Sequence, residues 1–365
     1  MTTNVGSKND APLKERAYLN AVARSTRLDY KKRAELFAAY GSWEKIWRTL
    51  EKSAGDDAYA EKEWERLSSL DISLSLPEEA SYPARLREIP FPPLGVYVKG
   101  ALPRNVPAVA IVGTRKASYD GRSIARALAR DLAASGVSIV SGLAFGVDRE
   151  AHEGCLEAGG HTVAVLANGL DRVYPASHET LAKRILKEGG ALLSEYPLGT
   201  PTLPYRFLER NRIISGLSLG VVVVEAPLAS GAMATARFAL EQNRDVFVVP
   251  GPARHPHFEG SHKLLKEGAQ LVTHASDILE SLDIEASSPV LAARTQVAYT
   301  REECAVLQIL EVAGDPLHVD KITEVTKLNN QVVTQTLTFL LIKDVIEETG
   351  RGYILKAHSK NSRLR

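Results

Sequence analysis

A glycine, two hydroxyls and two cations follow one another in Ile111-Val112-Gly113-Thr114-Arg115-Lys116-Ala117-Ser118, directly after the β-branched run AVAIV. That order suits a phosphate. Glycine lets backbone approach a ligand, a helix starting here would direct free N–H groups at an anion, and Thr114, Arg115, Lys116 and Ser118 add hydroxyl and charged donors. Glycine after a strand is also plain turn chemistry, and the two basic residues argue against that reading. A second stretch, Ser141-Gly142-Leu143-Ala144-Phe145-Gly146-Val147-Asp148, repeats a hydroxyl and two glycines before a helix. Two adjoining phosphate-sized seats are expected. Phe145 either stacks on a base, which contributes about 1–3 kcal/mol, or makes an ordinary apolar contact. Asp148 reads as a helix-start residue favourable to the dipole, and His152 as a residue that orients a loop.

Arg210-Asn211-Arg212 lies in a helix expected from about Phe207. Arginines flanking an amide need phosphates, carboxylates or carbonyls as partners, the alternative being a surface salt-bridge set. After Glu225 the small residues of Ala226–Thr235, with Gly231 and Thr235, would bring backbone close to a ligand, and Pro250-Gly251-Pro252 ends another strand in the same manner. Against a dinucleotide, the G-x-G-x-x-G series is absent and no acidic residue ends the second strand; against an NTPase, no Gly-Lys pair occurs. His255, His257 and His262 lack the cysteines or tight acidic cluster of a metal set and read as a solvated loop. Cys155 and Cys304 are far apart and read as core fillers. No nucleophile with its base, no metal site and no cofactor is expected.

The elements that must carry these loops follow from apolar periodicity. Six short runs, AVAIV, VSIV, TVAVL, ALLS, GVVVVE and DVFVV, have the composition of strands buried on both faces. Helix-length segments near 122–135, 146–158, 178–188, 207–217 and 232–242 alternate with them, so the fold class is α/β, a doubly wound parallel sheet of extended Rossmann-like form. Ligands bind such sheets beyond the C-terminal strand ends, where the loops above lie. Before the sheet, residues about 13–70 have helical periodicity, and the four prolines of SYPARLREIPFPPLGVYVKG exclude a helix and suggest an ordered linker ending in a strand. After a linker at 284–296 come three helical segments and a hairpin around Thr349-Gly350-Arg351-Gly352, the layout of a winged helix. The expected domains are 1–75, 80–283 and 297–357.

With 365 residues, 44% hydrophobic and 24% charged, the chain is globular in composition. No run approaches the roughly 18 apolar residues of a spanning helix, and MTTNVGSKNDAPLKER lacks a signal peptide's apolar core, so a cytoplasmic address and no membrane partner are expected. Lys and Arg number 45 against 44 Asp and Glu, a net charge of +1, so any nucleic-acid binding must be local. The basic tail from Lys356 to Arg365 reads as a solvated terminus.

In order and spacing, VAIVGTRKAS, IVSGLAFGVDREAH, GGHTVAVLANGLDRVYP, LLSEYPLGT, FLERNRIISGLS, VVVEAPLASGAMATA and RDVFVVPG resemble the DNA-processing protein A (DprA/Smf) family over about Ser81 to Leu279. The resemblance implies a cytoplasmic homodimer that binds single-stranded DNA and loads the RecA recombinase onto it during natural transformation, without enzymatic activity. It implies that Gly113-Thr114-Arg115 grips phosphate, that the loops at Ser141–Gly146, Arg210–Arg212 and Gly231–Thr235 belong to the same pocket, and that Leu240, His262, Leu265 and Leu271 lie on a dimer surface. It also implies a sterile-alpha-motif-like fold for the first domain. Relatives often place a lysine after the Tyr-Pro of the third loop; here Ala176 follows Tyr174-Pro175, and Arg172 is the candidate substitute. The third domain either binds duplex DNA or engages a partner, since only Lys343 adds a cation near Asn329–Ile342. Two other classes compete: an enzyme acting on a nucleotide, with Asp148 or Glu225 as its acid, and a transcription factor that reads duplex sequence.

Overall fold

The computed structural model describes residues 10–25, 28, 30–50, 57–103, 105–285, 300–342 and 345–355. They fall into two compact units, up to residue 287 and from 288 onward. The first unit opens with four helices, α1 (Asp10–Ser25), α2 (Tyr30–Tyr40), α3 (Trp43–Leu50) and α4 (Asp57–Ser69), followed by β1 (Ile72–Ser75), α5 (Ala84–Arg87) and β2 (Val96–Gly100). Strand and helix then alternate: β3 (Ala108–Val112), α6 (Tyr119–Ala134), β4 (Ser138–Ser141), α7 (Val147–Glu157), β5 (Thr162–Val165), α8 (Glu179–Lys187) and β6 (Ala191–Ser194). The series continues through α9 (Pro204–Gly216), β7 (Gly220–Val223), α10 (Gly231–Glu241), β8 (Asp245–Val248), α11 (Glu259–Lys266), β9 (Gln270–Leu271) and α12 (Ala275–Ser281).

All six expected runs are strands of one nine-stranded sheet, ordered β1-β2-β6-β5-β4-β3-β7-β8-β9. From β6 to β9 every pairing is parallel. The sheet is not wholly parallel, because β1 with β2 and β2 with β6 pair antiparallel. The chain joins β1 to β2 without the long helical crossover that a parallel partner requires.

Alternate residues of each strand serve opposite layers. Ala110 and Val112 face the helices α9 and α10 through Ile213, Ile214, Ala232 and Ala236, whereas Val109 and Ile111 face α6 and α7 through Leu128, Leu132, Val147 and Ala151. The N-terminal helices pack on the sheet: Trp43, Ile46, Trp47 and Leu67 share a core with Leu74, Tyr97 and Leu192. The proline-rich segment, expected to be free of helix, holds the single turn α5. Pro83 sits at its N-cap, where a missing N–H costs nothing, and Pro90 follows its end.

The second unit has its own core. It contains α13 (Arg301–Ala313), α14 (Val319–Thr326), α15 (Asn330–Ile342) and an antiparallel hairpin of β10 (Ile346–Thr349) and β11 (Gly352–Leu355). Val306, Leu310, Ile322, Val333, Leu337 and Leu340 fill its interior, and Thr300 with Glu303 closes a capping box on α13. Lys343 and the basic tail from 356 lie outside the described residues. Among the described residues no helix is long and apolar enough to cross a membrane.

Candidate functional site

Because β3, β4, β5 and β7 run parallel, the loops that leave them emerge on one rim. The first, 113–118, ends at Ser118, whose hydroxyl caps α6 by accepting from the Gly121 N–H at 3.0 Å. Below it Glu225, fully buried at the end of β7, accepts the Ser118 backbone N–H at 3.0 Å and also its hydroxyl. The Thr114 N–H donates to the Glu225 carbonyl at 2.7 Å. This loop is therefore bolted to the strand beside it, while the side chains of Arg115 and Lys116 remain exposed.

The second loop leans on the first at Gly146, which has φ +74° and whose Cβ, were there one, would collide with the Thr114 carbonyl. Asp148 holds it from inside, accepting N–H groups of Gly142 at 3.1 Å and Ala144 at 3.4 Å. Burial pushes the Asp148 carboxyl pKa upward, and the neighbouring Arg210 guanidinium acts against that shift. Asp148 stands in the first turn of α7, the helix-start position expected of it, and its carboxylate also organises the loop before the helix. The Ser141 hydroxyl is also turned inward, donating to the Ile111 carbonyl at 2.7 Å, so it offers nothing to a ligand at the rim. Phe145 projects outward, 48% exposed, with its ring edge-on to His178 at 4.7 Å.

Arg210 and Arg212 are buried, with their guanidinium groups engaged inside the protein. Arg210 donates to the carbonyls of Gly142, at 2.9 Å, and Val165, tying the loop ends of β4 and β5 together; burial lowers its pKa to about 10, so it stays charged at neutral pH. Arg212 grips both carboxylate oxygens of Glu195, at 2.6 and 2.7 Å, and the Phe91 carbonyl. The partners are the carboxylates and carbonyls that such arginines require, and the set is neither a surface network nor open to solvent. Asn211 donates to the Gly231 carbonyl at 3.1 Å, and the Thr235 hydroxyl to the same carbonyl at 3.0 Å. Gly231 itself is exposed at the start of α10.

In the third loop Arg172 is exposed, and its carbonyl accepts from Asn168 at 2.7 Å. Ala176 is exposed after the cis Tyr174-Pro175 bond. None of Arg115, Lys116 and Arg172 makes a salt bridge among the described residues. Instead the Arg115 guanidinium lies 4.9 Å from the centre of the Phe207 ring, and the ring of Tyr174, a residue 46% exposed, packs against the same ring at 5.5 Å in a tilted arrangement. Sequence reasoning used Phe207 only as a helix start. The signal that could have found it is Tyr205-Arg206-Phe207, an interleaving of aromatic and basic side chains typical of single-strand binding surfaces.

His152 does not orient a loop; it is fully buried and joins α7 to β5 through Nδ1 and the Thr162 hydroxyl, 2.7 Å apart. His255 is exposed, and among the described residues no three-residue cluster of metal-ligating side chains exists. Cys155 is fully buried in the core and Cys304 half-buried. Leu240 at the end of α10 and Leu271 in the edge strand β9 are both 56% exposed, and His262 and Leu265 on α11 are half-buried.

A family model described as DNA recombination-mediator protein A matches residues 73–283, the sheet together with its rim. The chain belongs to this family. Among relatives in the recombination-mediator protein A family, Protein Smf of Escherichia coli (strain K12) is 48% identical over 202 residues, which cover 55% of this chain and 54% of that protein. DNA processing protein DprA of Streptococcus pneumoniae is 39% identical over 229 residues, covering 62% of this chain and 79% of the relative. The chain spans about half the length of the first of these relatives and of its Synechocystis counterpart. The X-ray structure of DprA from Streptococcus pneumoniae superposes with a TM-score of 0.60 at 32% identity, covering 72% of this chain and 97% of that one. A structure of DNA processing protein A from Helicobacter pylori, described for its single-stranded DNA binding mode, gives 0.51 at 32% identity and covers 57% of this chain and 95% of that one.

Proposed function

We propose that this chain is a recombination mediator that binds single-stranded DNA along the rim formed by the loops after β3, β4 and β5 and the first turns of α9. The observation that carries the reading is the exposed trio Arg115, Lys116 and Arg172, without salt bridges among the described residues, on loops that also present Phe145 and Tyr174, with the Phe207 ring in contact with both Arg115 and Tyr174. Cations hold the phosphates and rings stack on bases, a combination that suits a flexible strand whose bases can splay and not a stiff duplex. The single-strand binding described for the Helicobacter pylori relative supports it. Arg210, Asn211, Arg212, Ser141 and Thr235 act from behind, fixing the loops, while Gly113, Thr114, Gly142, Gly146 and Gly231 shape the backbone. Arg172 takes the place of the lysine absent at Ala176.

The family's description as a recombination mediator supports delivery of the strand to RecA, as in natural transformation. Leu240, His262, Leu265 and Leu271 form a homodimer surface, the N-terminal helices a sterile-alpha-motif-like module, and the second unit a winged helix, all in the cytoplasm. No catalytic step is assigned: Asp148 and Glu225, the acids an enzyme would use here, are buried and bonded to loop backbone.

Fluorescence anisotropy of labelled oligo-dT and a matched duplex tests the reading. Wild-type protein is expected to prefer the single strand, Arg115→Ala to lose most of that binding and Arg172→Ala a smaller part. Unchanged binding by Arg115→Ala would move the strand off the rim.

A further inference from the structure

A cleft of about 940 Å³ lies beside the rim, between α1 and α2 on one side and the segment 195–201 with the start of α9 on the other. Its size is near the top of the range of about 300–1,000 Å³ usual for small-ligand sites. Its chemistry is polyanionic in preference. Five cationic side chains line it against two carboxylates. Arg212 is paired with Glu195 and Arg24 with Glu63, outside the lining, while Glu209 accepts the Tyr196 hydroxyl at 2.8 Å, so Lys31 and Arg206 are the cations the cleft brings to a phosphate. Lys31 on α2 is exposed at the mouth. Aromatic faces accompany the charge. Phe91 and Tyr205 are 55% and 51% exposed, and Arg206 lies over both Tyr196, at 5.3 Å, and Tyr205, at 5.5 Å.

The cleft adjoins the proposed DNA surface through one turn of helix. Tyr205 and Arg206 line the cleft, while the next residue, Phe207, supports Arg115 on the rim. Consecutive helical residues point about a quarter-turn apart, so the start of α9 presents one face to each site. We propose that a single strand held on the rim continues across the start of α9 into this cleft. There Lys31 and Arg206 neutralise phosphates, and Tyr205 and Phe91 stack bases. This inference rests on the rim reading, and it gives the N-terminal helices a direct part in binding DNA as one wall of the cleft.

The test is strand-length dependence. Oligo-dT strands from about 4 to about 16 nucleotides, the range of site sizes seen for single-strand-binding folds, are titrated against the full chain, Arg115→Ala and the double variant Lys31→Glu, Tyr205→Ala. Both residues of the double variant are exposed, so the fold should tolerate it. The shortest strands are expected to bind the double variant as they bind wild type, and the longest about tenfold more weakly, in keeping with the loss of one stacked base. Equal affinity of both proteins for long strands, or an equal loss at every length, overturns the cleft. Arg115→Ala without effect on the shortest strands overturns the rim instead, so the two failures are distinguishable. As a second measurement, strands carrying 5-iodouracil should photocrosslink to peptides containing Tyr30 or Tyr205 only above the minimal binding length; crosslinks absent at every length also overturn the cleft.

Discussion

Arg210 and Arg212 stand two residues apart on one helix and both are buried, yet they do different work. Arg210 joins the exits of β4 and β5 through their carbonyls, whereas Arg212 neutralises Glu195 beneath the N-terminal helices. Nothing local in Arg210-Asn211-Arg212 distinguishes these roles from a phosphate grip, since each partner comes from an element distant in the chain. A similar commitment makes His152 a reporter of folding. Burial, with the nearby positive charge of Arg210 and the ring of His178 adding to it, drives its pKa down to about 3. The ring is neutral in the folded protein, and an unfolded histidine protonates near 6.5. The stability it contributes is complete above that value and is lost as pH falls toward the folded pKa. Between about pH 7.5 and about pH 5 the wild type should lose about 2 kcal/mol more than His152→Gln in urea unfolding. Parallel pH dependence in the two proteins would show that the imidazole titrates freely in the fold.

Strands and loops set the distances on the rim, and their readability from sequence varies with cause. The six β-branched runs were legible because strands buried on both faces leave little freedom of composition. The edges were not: β1, Ile72-Ser73-Leu74-Ser75, does alternate apolar and polar, but over only four residues directly after a helical stretch, and β9 has only two residues, too few for any period. The glycine-bearing loops were legible, but the inward turn of Ser141 was not, because its acceptor, the Ile111 carbonyl, lies on the neighbouring strand β3, whereas Thr235 bonds locally, back to the Gly231 carbonyl one turn earlier in α10. The contact between the first two loops depends on Gly146, where φ is positive and the Thr114 carbonyl occupies the space of a side chain. Gly146→Ala should therefore cost stability beyond the roughly 1 kcal/mol of a strained backbone, part the two loops and weaken oligo-dT binding. Gly159→Ala is the control, since Gly159 also has positive φ but open space at its Cβ; it should show the backbone cost alone in thermal melts and leave DNA binding intact. Equal effects of the two substitutions on binding would mean that the loop contact does not shape the site.

Across the whole molecule, 45 basic side chains against 44 acidic ones provide almost no general attraction for a polyanion. Binding must then come from the few cations that have no carboxylate partner near the rim, and this limits its salt dependence. Three phosphate contacts, by Arg115, Lys116 and Arg172, correspond to a slope of about −2 in log affinity against log salt, because each contact on a single strand contributes about −0.7. Short strands should show that slope in anisotropy titrations. A slope near zero would mean that bases alone are held, and one steeper than about −4 that cations outside the rim already contribute. Strands long enough to reach the cleft meet Lys31 and Arg206 as well, so their slope should steepen to about −3 or −4. In the Lys31→Glu, Tyr205→Ala protein the steepening should shrink, because a cation has been replaced by a carboxylate at the mouth. Salt dependence that grows with strand length would thus reveal a binding surface made in series, rim first and cleft second, on a protein whose overall charge attracts nothing.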